Sequence, residues 1–262
     1  MDVIKVEGGH RITGEVTVEG AKNSALKLMA ATLMAKGVST LTNVPNIADV
    51  HVMGKVLKNL GATIEVVNEH ELKIDTTNVD SWETPYDLVV QMRASTAVMG
   101  PLLSRFGRAV VAMPGGCNIG ARKIDMHILG LEALGVEFKI DHGNIHASAP
   151  NGIHGATVTL AFASVGATEN LMMASVFAEG STTIDNAARE PETSLICSTR
   201  WEPTSRGRDL PSLKSTASPS FTPLLMRSSE TALRLARSSL LALCAANRLR
   251  SRGLTLFILA LF

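Results

Sequence analysis

The sequence predicts an α/β fold assembled from a repeated β-α-β-α-β-β unit, and three observations lead there. Glycines that end apolar helical stretches recur at Gly37, Gly107 and Gly180, spaced 70 and 73 residues apart. A further helix in each of the first two units stops at a second glycine, Gly61 or Gly135. Two alternating, strand-like segments follow each of those stops. Glycine is the expected residue just past a helix because it takes the left-handed C-cap conformation without a Cβ penalty.

The elements follow in order. Residues 24–36 place Leu26, Leu28, Met29, Leu33 and Met34 among alanines, which predicts a buried helix. Val38, Thr40-Leu41 and Val44-Pro45 then predict a strand and turn. A second helix over 51–59 carries Val52, Met53, Val56 and Leu57, and strands over 63–67 and 71–75 complete the unit. The second unit repeats this order: a helix over 95–106, a strand over 110–113 and a glycine-rich loop. A helix over 125–134 and strands over 136–140 and 144–147 follow. The third unit opens at Val165-Gly166-Ala167-Thr168, with a Met-rich helix over 170–178 and a strand over 182–185. It should continue with an amphipathic helix, a Leu-Gly-Ala-like stop and two strands. No such pattern follows Glu192.

Composition changes at the same place. Residues 1–192 carry 15 Lys+Arg against 21 Asp+Glu, a net −6, whereas 193–262 carry 10 against 3, a net +7. The overall charge of +1 hides this asymmetry. The 193–262 stretch has no Val or His, two Gly, 12 Ser and 15 Leu, and nine of its ten basic residues are Arg. It abandons the repeat in mid-unit and reads as translation in another frame, expected to be disordered or irregular. A basic arm for nucleic acid or membrane is the competing reading, but no aromatic interleaving supports it. The apolar run 254–262 is far below the roughly 20 residues that span a bilayer.

Other classes are excluded more simply. With 45% hydrophobic and 19% charged residues, the chain is neither disordered throughout nor collagen-like. Cys117, Cys197 and Cys244 form no CxxC, and no signal-peptide core follows Met1, so a reduced, cytoplasmic protein is expected. No HxxxH or HxH pattern suggests a metal site, and no GxGxxG or P-loop suggests a nucleotide-binding fold of those types.

Chemistry can sit at three places. Gly20-Ala21-Lys22-Asn23-Ser24 opens the first helix, whose unpaired N–H groups and dipole favour anions. Arg93 falls at nearly the same point of the second unit, so the two cations could share an anionic ligand. Against this stands a solvated Lys beside an Asn or Ser N-cap. Pro114-Gly115-Gly116-Cys117-Asn118-Ile119-Gly120-Ala121-Arg122-Lys123 is a glycine-rich loop whose Arg122 and Lys123 can stabilise a thiolate. It could equally be a turn with a bystander thiol. Asp125, in Ile124-Asp125-Met126-His127, is most simply an N-cap but could equally accept hydrogen bonds from an amide or hydroxyl of a ligand. Ser164-Val165-Gly166 opens the third unit's helix with backbone N–H groups that favour anions unspecifically.

The segments GEVTVEGAKNSAL, PYDLVVQMRAS, GPLLSRFG, MPGGCNIGARKIDMHILGLEALG, SVGATEN and NAAREPE resemble those of the UDP-N-acetylglucosamine enolpyruvyl transferases (1-carboxyvinyltransferases). They cover essentially all of residues 1–192. The resemblance implies two domains, each an inside-out α/β barrel of three units with helices inside and sheets outside. Residues 1–21 would pack with the second domain, 22–192 would form the first, and 193–262 would be non-homologous.

It also implies transfer of the enolpyruvyl group of phosphoenolpyruvate to the sugar 3-hydroxyl of UDP-N-acetylglucosamine, with release of phosphate, as the first committed step of peptidoglycan synthesis. Cys117 would be the general acid and the target of fosfomycin. Lys22, Asn23 and Arg122 would contact phosphoenolpyruvate. Arg93, Arg122, Lys123, Ile124, Asp125, Met126, Ser164 and Val165 would contact the UDP-sugar. No cofactor, metal, nucleic acid or membrane partner is implied. Ala163 and Lys123 stand where many relatives have Pro. The catalytic Asp and the second domain have no counterpart in 193–262. The chain is therefore expected to be inactive and poorly folded, a non-catalytic fragment being the alternative.

Overall fold

The computed structural model describes residues 14–16, 20–91, 93–113, 124–188, 201–206, 210–216, 225–227 and 249–251. After a short strand β1 (Gly14–Val16), the first unit opens with helix α1 (Lys22–Ala31), which tightens into a 3-10 turn at Thr32–Met34. Strand β2 (Val38–Thr42), helix α2 (Ala48–Asn59) and the hairpin β3 (Thr63–Asn68) and β4 (Glu71–Asp75) follow. The second unit adds a helix that the sequence does not signal, α3 (Tyr86–Gln91), whose single turn and a half is too short to show a period. Its main helix begins as a 3-10 segment, Arg93–Val98, and continues as α4 (Met99–Phe106). Strand β5 (Arg108–Ala112), helix α5 (Asp125–Ala133) and the hairpin β6 (Glu137–Asp141) and β7 (Asn144–Ser148) complete it.

The third unit has strand β8 (Thr157–Thr159), helix α6 (Val165–Ala174) with a 3-10 turn at Ser175–Phe177, and strand β9 (Ser181–Asp185). The stretch beyond it contributes β10 (Trp201–Arg206), β11 (Leu210–Thr216), β12 (Leu225–Arg227) and β13 (Leu249–Ser251). Gly37, Gly107 and Gly180 all have positive φ, at 126°, 66° and 94°, but the expected glycine cap is found only at Gly107, since the first and third helices end at the extended Ala35 and Ala178. Gly107 is the left-handed cap of α4, and its N–H donates to the Leu103 carbonyl at 2.8 Å.

Helices lie inside and sheets outside. Residues 24–31 of α1 and 167–174 of α6 are buried around the whole circumference, as expected for helices apolar on every face. Three of the four described sheets repeat one topology. In each, the first strand pairs antiparallel with the last strand of a hairpin, giving the orders β2-β4-β3, β5-β7-β6 and β9-β11-β10. The register repeats too, pairing first residue with last: Val38 with Asp75, Arg108 with Ser148, Ser181 with Thr216. Each first strand buries its second and fourth residues, Ser39 and Leu41, Ala109 and Val111, Thr182 and Ile184. That alternation lays one face of each sheet on the helices.

Within the 193–262 stretch, expected to be disordered or irregular, residues 201–206, 210–216, 225–227 and 249–251 form strands, and the rest lies outside the described residues. β10 and β11 occupy the places that β3–β4 and β6–β7 fill in the other units, β12 runs parallel to β2, and β13 pairs with β1. The reason is that β9 and β2 present open edges whose N–H and C=O groups need partners. Main-chain pairing asks for no particular side chain, so a segment without hydrophobic alternation can still supply it. The expected second helix of this unit falls within 189–200, outside the described residues.

One half-buried cation ties the first two units together. The Arg105 guanidinium, at the end of α4, donates to the carbonyls of Leu33, Ala35, Thr76 and Val79 at 3.0–3.4 Å. Partial burial pushes its pKa down from the ordinary guanidinium value, and the four carbonyls supply the partial negative charge that a desolvated cation needs.

Candidate functional site

The helix starts gather at one end of the bundle. Asn170 of α6 donates to the Thr96 carbonyl, and a Cβ on Gly100 would come within 3.2 Å of the Ala174 backbone nitrogen. Contacts thus advance together along α4 and α6, which therefore run parallel. α1 packs on the 93–98 segment while its 3-10 extension packs on α4, so α1 runs the same way. His127, two residues into α5, bonds to Asn170. At about 1.5 Å of rise per residue, the starts of α1, the 93–98 segment, α5 and α6 lie within two turns of this contact region.

Several sequence-predicted site residues sit at these starts. Lys22 is the first residue of α1, and its ammonium pairs with the Asp49 carboxylate at the start of α2, 2.8 Å away. Both side chains are partly exposed, so the pair is weak and easily exchanged for another anion. Asn23 is exposed. Neither Asn23 nor Ser24 is the cap of α1: that position is Ala21, with no side-chain cap, and Ser24 is fully buried. Arg93 is the first residue of its 3-10 segment.

Asp125 is likewise not an N-cap. The cap position of α5 is Ile124, which is buried, and Asp125 is the exposed first helical residue. One residue of offset turns its carboxylate from a cap into a solvent-facing charge that complements the helix dipole. Met126 is half-buried against the core. Ser164 does cap α6, its hydroxyl accepting from the Ala167 N–H at 3.4 Å, and Val165 beside it is exposed. Cys117, Arg122 and Lys123 lie outside the described residues. Among the described residues no group of three or more His, Cys, Asp and Glu could hold a metal ion, and no helix is long and apolar enough to cross a membrane.

Sequence reasoning missed the polar residues that lie one layer beneath these starts. Lys27 of α1 and Glu169 of α6 form an ion pair, with Glu169 fully buried. Asn170, also fully buried, contacts Gly100, Thr96 and His127. The available signal was the run Thr168-Glu169-Asn170 inside an otherwise apolar helix. Buried polar groups need partners, so such a run marks a place where three elements meet.

Residues 6–198 match the family described as EPSP synthase (3-phosphoshikimate 1-carboxyvinyltransferase), about three-quarters of the chain. The chain belongs to this family. Among curated relatives, the UDP-N-acetylglucosamine 1-carboxyvinyltransferase of Trichlorobacter lovleyi is 49% identical over 192 residues, 73% of this chain and 46% of the relative. That of Gluconobacter oxydans is 52% identical over 194 residues, 74% of this chain and 46% of the relative. The chain thus spans about half the length of the curated relatives it matches. Solved structures agree on the family's fold. The enolpyruvyl transferase NikO from Streptomyces tendae superposes with a TM-score of 0.71 at 20% identity, over 87% of this chain and 54% of that one. EPSP synthase from Acinetobacter baumannii gives 0.66 at 14% identity, over 85% and 51%.

Proposed function

We propose that this chain carries one wall of the active site of a UDP-N-acetylglucosamine 1-carboxyvinyltransferase, acting in the cytoplasm in peptidoglycan synthesis. The observation that carries the reading is the convergence of four helix starts, bearing Lys22, Asn23, Arg93, Asp125, Met126, Ser164 and Val165, at one end of the bundle. Relatives about half identical to it carry that name. Helix N-termini with nearby cations suit anionic groups, and both proposed substrates carry phosphate.

In this reading Lys22 leaves Asp49 for the phosphoenolpyruvate anion, with Asn23 and Arg122 beside it. Arg93, Arg122, Lys123, Ile124, Asp125, Met126, Ser164 and Val165 line the UDP-sugar. The sugar 3-hydroxyl adds to C2 of phosphoenolpyruvate while Cys117 delivers a proton to C3, and the hydroxyl proton passes to a base. The C2–O bond to phosphate then breaks, a proton leaves C3, and the enol ether double bond forms. The base belongs to the half of the relatives that this chain does not match, so turnover requires that half. Binding does not.

Calorimetric titration of the full chain with UDP-N-acetylglucosamine tests this. Saturable binding, weakened by Arg93→Ala, is the expected outcome, together with fosfomycin alkylation at Cys117 and no phosphate release from phosphoenolpyruvate. Absence of both binding and alkylation would sink the reading, and phosphate release would show that the chain needs no second half.

A further inference from the structure

The adjacent residues Glu169 and Asn170 face different units of the fold. Glu169 reaches Lys27 of the first unit. Asn170 spends its whole amide on the second: its Oδ1 accepts the Gly100 N–H at 2.6 Å, and its Nδ2 donates to the Thr96 carbonyl at 3.2 Å and meets His127 Nδ1 at 3.0 Å. A backbone donor and a backbone acceptor therefore fix which way the amide points. With Nδ2 facing it, His127 Nδ1 must accept, which leaves its proton on Nε2. That side of the ring lies against Gly166 in the first turn of α6, about 3.5 Å from where a Cβ there would stand. Gly100 is equally constrained, since a Cβ on it would fall 2.4 Å from the Asn170 carbonyl oxygen and 2.5 Å from Oδ1.

We infer that Asn170 is a positioning residue that holds the starts of the 93–98 segment, α5 and α6 in register for a nucleotide-sugar ligand, with the Lys27–Glu169 pair aligning α1 to the same layer. The inference rests on the proposed function for the identity of the ligand only. Thr96 is three residues past Arg93, His127 two past Asp125, and Asn170 five past Val165, so this one amide is the nearest common support of all three. A tilt at any of these contacts displaces a helix start and whatever it binds. Asn170 touches no proposed ligand position itself; it acts through the backbone of Gly100 and Thr96 and through the His127 ring.

The test compares the full chain with Asn170→Leu and Asn170→Asp, by calorimetry with UDP-N-acetylglucosamine, amide hydrogen exchange and 15N chemical shifts of the His127 ring. Asn170→Leu keeps the branched shape, in a bulkier side chain, and removes all three of these hydrogen bonds. It is expected to weaken binding on the order of ten-fold and to speed exchange together at 96–100, 125–127 and 165–168, while the β6–β7 hairpin stays protected. Asn170→Asp presents only acceptors: it can still accept the Gly100 N–H but can no longer donate to the Thr96 carbonyl, so the His127 proton is expected to move from Nε2 to Nδ1 and protection to return at 125–127 and at Gly100. Unchanged affinity in Asn170→Leu, a uniform rise in exchange, or a His127 tautomer indifferent to Asn170→Asp would each overturn the inference. If the unaltered chain binds no UDP-N-acetylglucosamine, the substrate reading fails, and the exchange pattern and tautomer still decide the role of Asn170. If Asn170→Leu does not fold, the tautomer and exchange pattern of Asn170→Asp decide it.

Discussion

At Asp75, two donors from one neighbour converge on a single carboxylate oxygen. Oδ1 accepts from the Thr77 hydroxyl at 2.6 Å and from its N–H at 2.9 Å. The hydroxyl, then the N–H, holds the Asp75 pKa below its usual 3.8. A carboxylate whose folded pKa is depressed adds stability above the unfolded pKa, and loses it as pH falls through the lower folded value. Replacing Thr77 by Val should therefore lower the denaturation midpoint at neutral pH and make no difference in acid well below 3.8. Urea melts of both proteins at the two pH values check this; a difference that persists in acid would place the effect in packing. Neither the Thr77 contact nor the fully buried Asn170 is visible in composition. Thr77 follows Asp75 by two residues, a spacing that does suggest a local side-chain turn. Asn170 depends on partners 43 and 74 residues away, which no local pattern reveals.

Among the helices that open the site, α6 has a side-chain cap, whereas α1 and α5 have none. The Ser164 bond to the Ala167 N–H is long, at 3.4 Å. Ser164→Ala should cost about 0.5–1 kcal/mol of stability, toward the low end for a lost N-cap, and should loosen the first turn of α6. Thermal unfolding measures the first effect and amide exchange at 167–168 the second; a cost well above that range would mean that Ser164 also supports the core. Helix ends were legible and helix beginnings less so. Gly107 stops its helix by backbone conformation, a property of the residue itself, whereas Gly37 and Gly180 follow helices already ended by the extended Ala35 and Ala178. Asn23 and Asp125 look like caps, yet each is already inside the helix, because packing of Ala21 and Ile124 against the core sets where the first turn begins. The short elements α3 and β8 were missed because six and three residues are too few to display a period.

For the whole molecule, the strands of the 201–262 stretch cover edges of two sheets that pack on the helices. β11 covers β9 and β12 covers β2. A chain ending at residue 200 would expose both edges. It is expected to unfold roughly 5 °C lower and to self-associate through the open strands, as read by thermal unfolding and size-exclusion chromatography. An unaltered midpoint and elution position would mean that the 201–262 stretch contributes nothing to the sheet. The repeat, the apolar helices and the alternating hairpins of the first two units were all readable from residue type, because burial periodicity and glycine stops are local. The third hairpin was not, because edge pairing is a main-chain demand that leaves no mark on side chains.

The motifs carried the resemblance to the enolpyruvyl transferases, and the sequence by itself also determined a repeated α/β chain with cations and small polar residues at its helix starts. The local physics of burial period, C-capping and residue charge suffices for that. Only the tertiary structure decided that these starts share one end of the bundle, that Lys22 rests on Asp49, and that Glu169 and Asn170 bind the units together. Such contacts join residues far apart in the chain, and their energy depends on distance and burial rather than on sequence position.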